Sequence, residues 1–82
     1  MTMTVELSMY PFRDDFKPPI KAAVARLQSE PDLQVTPGPT STVIVGDDTR
    51  ILECLRDLFA WSHDQHGRAV FVAKFIPGYD GE

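Results

Sequence analysis

The side chains able to do chemistry in this 82-residue chain gather in a few places. Near the start, Glu6, Ser8 and Tyr10 alternate with Leu7, Met9 and Pro11. A period of two marks a strand with one apolar and one polar face. A carboxylate, a hydroxyl and a phenol therefore share one face and can point at one small ligand. Each also has an ordinary reading, Glu6 as a solvated strand residue and Tyr10 as an interface aromatic. Thr40, Ser41 and Thr42 follow a Pro37-Gly38-Pro39 turn. Their hydroxyls can bind polar ring atoms or simply cap the turn, as short hydroxyl side chains commonly do. Ser41 and Thr42 rank ahead of Thr40. Lys74 interrupts an apolar run; it can pair with Glu6 across a sheet, hold a ligand phosphate, or guard an edge strand against aggregation.

Other reactive residue types read as structural. His63 and His66 are three apart in the last turn of a helix, with no third metal ligand evident, and read as a solvated helix end. Cys54 lies mid-helix between Leu52 and Leu55, a setting for a buried thiol rather than a nucleophile. Gly46-Asp47-Asp48 lacks the glycine pattern and the lysine of a phosphate loop. No catalytic and no metal-ligating set is expected.

The elements that must position these residues follow from local pattern. Thr4 to Tyr10 reads as a strand ended by Pro11. A helix follows, with Asp14 or Asp15 as its cap, Pro18 and Pro19 near its start, and Phe16, Ile20, Val24 and Leu27 at helical spacing. Pro31 closes that segment. Leu33 to Thr36 is a short strand, Pro37-Gly38-Pro39 a turn that cannot sit inside a sheet, and Ser41 to Val45 a β-branched strand. Asp47 or Asp48 caps a second helix. Its stripe is Ile51, Leu55, Leu58 and Ser62, widened by Leu52, Cys54 and Phe59, and Gly67 is its left-handed C-terminal cap. Ala69 to Ile76 is the last strand, and residues 79–82 form a loose tail. The order β-α-β-β-α-β, with right-handed crossovers, closes most simply as an α+β ferredoxin-like sandwich. Four antiparallel strands then carry both helices on one face. The strand at Ser41–Val45 and the last strand are apolar on both sides, which predicts that a second subunit or a ligand covers the open sheet face.

Length and charge bound the rest. One domain spanning residues 1–82 buries only roughly 60% of its unfolded surface, so a homo-oligomer is expected. The formal net charge is −4, and the eight basic residues are scattered. Nucleic acid needs clustered Lys and Arg, so neither it nor a membrane surface is an expected partner. A single cysteine allows no internal disulfide, and the first residues lack a basic region and a long apolar run; a cytoplasmic protein is expected.

Glu6-Leu7-Ser8-Met9-Tyr10-Pro11 resembles the opening motif of the YkoF-related, thiamine and hydroxymethylpyrimidine-binding family. Gly38-Pro39-Thr40-Ser41-Thr42, then Gly46 with acidic residues after it, and Lys74-Phe75-Ile76-Pro77-Gly78 match further along, in order. The resemblance is closest to the related single-domain thiamine-binding proteins. It implies a ferredoxin-like fold, often associated through sheet faces, and binding of thiamine or its pyrimidine precursor without catalysis or cofactor. It raises Ser8 and Tyr10 as ligand contacts, and with the residue types above the candidate ligand-binding set is Glu6, Ser8, Tyr10, Ser41, Thr42 and Lys74. An aminopyrimidine wants hydroxyls, a carboxylate and an aromatic surface, and a thiazolium cation favours an acidic or aromatic neighbour. YkoF-type chains carry two such repeats and this chain one, so a site between repeats would lie here between subunits.

Three other functions share the topology. An acylphosphatase-type hydrolase needs an arginine in a glycine-rich loop after the first strand and a nearby asparagine. Arg13 is the only arginine there, its loop has no glycine, and the chain has no asparagine. An RNA-recognition module needs aromatics on the central strands and basic surroundings, and only Tyr10 qualifies. A regulatory or interaction subunit that binds another small metabolite is the remaining alternative.

Overall fold

The computed structural model describes residues 1–81. Its elements are β1 (Thr2–Pro11), α1 (Lys17–Gln28), β2 (Gln34–Pro37), β3 (Thr42–Asp47), α2 (Asp48–His66) and β4 (Ala69–Pro77). The strands form one sheet in the order β2-β3-β1-β4, with every neighbouring pair antiparallel. This is the expected α+β ferredoxin-like arrangement. Strand β1 lies between β3 and β4, where Val5 is paired with Ile44 on one side and Phe75 on the other. Val5 and Ile44 are fully buried, in one core with Met3, Leu7, Leu27, Ile51 and Leu58. Thr4, Glu6, Ser8 and Tyr10 take the opposite face by alternation.

Helix α1 departs from expectation in two respects. Phe16 occupies its N-cap and no side chain caps it. Pro18 and Pro19 remove two of the first-turn N–H groups that Asp14 or Asp15 would have satisfied. The buried stripe is Pro19, Ala23 and Leu27. Phe16 is exposed, and Ile20 and Val24 are only half-buried, so the apolar stripe seen in the sequence is divided between the core and another surface.

Helix α2 begins as expected. The Asp47 carboxylate accepts the N–H groups of Thr49 at 3.1 Å and Arg50 at 3.4 Å. Ile51, Cys54, Leu55, Leu58 and Ser62 are buried, whereas Leu52 is exposed. Phe59 sits at the margin of the core, its ring 4.6 Å from that of Phe71. Burial pushes the Cys54 thiol up, so it stays protonated at neutral pH. Gly67 ends the helix at φ +80° and ψ −157° rather than in the left-handed cap, a conformation open essentially to glycine alone. Arg50 ties α2 to the α1–β2 connection through Asp32 at 2.6 Å and Glu30 at 3.1 Å. The Arg50 hydrogen bond holds the Asp32 carboxyl below its ordinary range.

Pro37 belongs to the sheet after all, as the last residue of edge strand β2 opposite Thr42; an edge strand tolerates the missing N–H. Of the residues expected as a loose tail, Glu82 lies outside the described residues. Tyr79 accepts a 2.7 Å bond from the Thr4 hydroxyl through its carbonyl, and Gly81 lies beside Val45.

Gly46, in the second motif, is explained by packing. A Cβ there would lie 2.6 Å from Leu33 Cδ2 and 3.8 Å from Ile51 Cγ1. Gly46→Ala should lower stability by about 1–3 kcal/mol through overpacking. The check is the chemical-denaturation midpoint; a variant as stable as the parent would mean that this contact yields freely.

Candidate functional site

The strands flanking β1 differ in reach. Pairing with β3 ends at Leu7 opposite Thr42, whereas pairing with β4 runs on to Pro11 opposite Ala69. From Ser8 onward, one side of β1 therefore has no strand neighbour. The turn joining β2 to β3 lies along that side. Its Gly38 N–H donates to the Ser41 carbonyl at 2.9 Å, and the Ser8 hydroxyl donates to the Thr40 carbonyl at 3.0 Å.

Between this turn, the end of β1 and the first half of α1 opens a cleft of about 540 Å³, within the usual size range of small-molecule sites. Its floor is apolar: Leu7, Ala23 and Leu27 are buried, and Met9 and Phe71 pack against the core. Phe16, Ile20 and Val24 form the α1 wall. Their apolar character is thus accounted for by the cleft. Ser8, Tyr10, Arg13, Ser41 and Thr42 are polar residues of the lining; the side chains of Ser8 and Tyr10 leave β1 on the open face by alternation, so these two border the cleft through the strand itself. Thr42 is buried, Ser41 half-buried and Tyr10 exposed. The Arg13 guanidinium is 4.0 Å from the Asp15 carboxylate.

The six candidate residues divide into two groups. Ser8, Tyr10, Ser41 and Thr42 come together at the cleft. Glu6 and Lys74 do not line it. They sit opposite one another in the β1–β4 register and form a 3.1 Å ion pair on the open sheet face, which is the cross-strand pairing weighed for Lys74. With Lys74 at 73% side-chain exposure, such a pair contributes at most about 1 kcal/mol. Around it on the open face lie Val43, Val45, Val70, Val72 and Ile76. Thr40 also lines the cleft. Arg13, Phe16, Ile20 and Phe71 fall outside the site expected from sequence; for Phe16 and Ile20 the signal is that α1 and its cap carry more apolar positions than one core-facing stripe needs, and for Arg13 and Phe71 no local pattern points to the cleft.

Elsewhere, His66 packs edge-on against Trp61, with ring centroids 5.6 Å apart. Among the described residues, no group of three or more His, Cys, Asp or Glu is placed to hold a metal ion. Among the described residues, no helix is long and apolar enough to cross a membrane.

No protein-family model matches the chain, and no curated protein sequence matches it. Solved structures do. A protein from Streptococcus pneumoniae superposes with a TM-score of 0.86 at 17% identity, over 96% of this chain and 89% of that one. A proposed thiamine biosynthesis/salvage protein from Thermotoga maritima gives 0.84 at 19% identity, over 92% and 82%. A hypothetical protein from Methanocaldococcus jannascii gives 0.83 at 23% identity, over 99% and 84%. The likeness is one of fold.

Ser8→Ala removes the bond that ties the β2–β3 turn to β1. The expected loss is about 1 kcal/mol, with faster amide hydrogen exchange confined to residues 38–42. Unchanged exchange there would show that the turn is held by other means.

Proposed function

We propose that this protein binds thiamine or its hydroxymethylpyrimidine moiety without catalysis, and that the cleft between α1 and the β2–β3 turn is the binding site. The observation that carries this reading is the composition of the cleft. A flat aminopyrimidine needs an apolar slot with a few polar contacts. Met9, Phe71, Ile20 and Val24 offer the slot, and the Ser41 and Thr42 hydroxyls offer donors and acceptors for ring nitrogens and an exocyclic amine. The fold shared with the Thermotoga maritima protein is consistent with a thiamine-related ligand.

Isothermal titration with thiamine and with hydroxymethylpyrimidine tests the reading. Saturable binding to the parent protein is expected, lost in Ile20→Trp, which fills the cleft, and retained in Glu6→Gln on the open face. Loss in Glu6→Gln with retention in Ile20→Trp would move the site to the open face. No heat with either compound would favour a regulatory subunit for another metabolite.

On the same reading, a second copy of the chain covers the open sheet face. Val72 is 55% exposed and Val70 43% exposed there, and adjoining valines on an unlayered sheet favour burial by a partner. Val72→Lys should convert the oligomer to monomer in sedimentation velocity. A parent protein that already sediments as a monomer at micromolar concentration would remove this part of the proposal.

A further inference from the structure

We propose that the occupant preferred by the cleft is a pyrimidine carrying a phosphate monoester, held by Arg13, rather than the thiamine cation. This rests on the reading that the cleft binds a thiamine-related pyrimidine, and it assigns the charge class of that ligand.

The argument begins with the charges at the site. Arg13 is the one charged side chain in the lining among the described residues. The carboxylate expected to face the ligand, Glu6, is engaged with Lys74 on the other side of the sheet. Asp15 lies outside the lining, is largely exposed, and meets Arg13 only at 4.0 Å. A guanidinium has five N–H donors in a fixed fork, and this single long contact leaves most of them available. A thiazolium carries a permanent positive charge. In this cleft it would lie near another cation, with no carboxylate in the walls to offset the repulsion. Low-polarity walls strengthen that repulsion, just as they strengthen attraction to an anion.

The depth of the groups supports the same assignment. Thr42 is buried and stands opposite Leu7 in the sheet register, and Ser41 beside it is half-buried. Arg13 belongs to the β1–α1 loop and is partly exposed. A pyrimidine entering ring-first places its ring nitrogens near the hydroxyls and its hydroxymethyl oxygen toward the rim. A phosphate on that oxygen reaches the guanidinium, which matches phosphate oxygens two at a time. Phe16, on the same rim, covers the ring edge. Lysine at position 13 would keep the charge and lose the fork.

The test compares four titrants on the parent protein and on Arg13→Gln: hydroxymethylpyrimidine, its phosphate monoester, thiamine and inorganic phosphate. The monoester is expected to bind at least about tenfold tighter than the alcohol, as a charge-assisted bidentate contact requires, and thiamine more weakly than either. Inorganic phosphate alone should bind far more weakly than the monoester. In Arg13→Gln the monoester's advantage over the alcohol should be lost, with the circular dichroism spectrum intact. The monoester's advantage should also shrink as salt is raised. Equal affinity for monoester and alcohol, tighter binding of thiamine than of either, or an advantage that survives Arg13→Gln would each overturn the inference while leaving pyrimidine binding in place. Absence of binding by all three organic compounds would overturn both.

Discussion

The unequal pairing of β1 is the constraint on which the rest of the structure depends. A central strand must satisfy its backbone groups on both sides. Strand β4 does so along nearly the whole of β1, whereas β3 stops at Leu7 opposite Thr42. The stretch from Ser8 to Pro11 is thus half an edge inside the domain. The β2–β3 turn closes along it, fastened by the Ser8–Thr40 hydrogen bond, and the remaining space is the cleft.

Helix α1 completes the enclosure because its two prolines constrain how it starts. Pro19 is buried, in line with Ala23 and Leu27. This stripe, with the small Ala23 at its centre, brings the helix against the sheet, and Ile20 and Val24 line the cleft together with Gly38 to Thr42. A larger side chain at position 23 would lift the helix and widen the cleft. The same geometry makes the N-terminal turn of α1 independent of a capping carboxylate, since its first-turn donors are reduced by Pro18 and Pro19.

Charge is partitioned by the sheet. On the open face, Glu6 and Lys74 neutralise one another among valines. On the cleft side the guanidinium of Arg13 stands beside apolar walls and hydroxyls. A third set, Arg50 with Glu30, Asp32 and Glu53, is spent on fixing α2 to the α1–β2 connection. Two faces of one small domain therefore differ in character: a charge-balanced, apolar sheet surface on one side and a cleft bordered by one cation on the other.

Local sequence determined the elements. Period-two alternation in Glu6–Tyr10, β-branching in Thr42–Val45, the Asp47 cap and the helical spacing of Ile51, Leu55 and Leu58 act over a few residues, and the structure follows them. The order of those elements also bounded the topology, because crossovers have one hand. Tertiary structure decided what lies between elements. Whether Ile20 and Val24 meet core or cleft depends on the rotation of α1 against the sheet, set by Pro19 and Ala23 packing rather than by periodicity. Glu6 and Ser8 share a strand face, yet Glu6 is captured by Lys74, 68 positions away in the chain, while Ser8 reaches a turn carbonyl. Those contacts come from strand register and from where β3 ends, and no window of the sequence contains both partners.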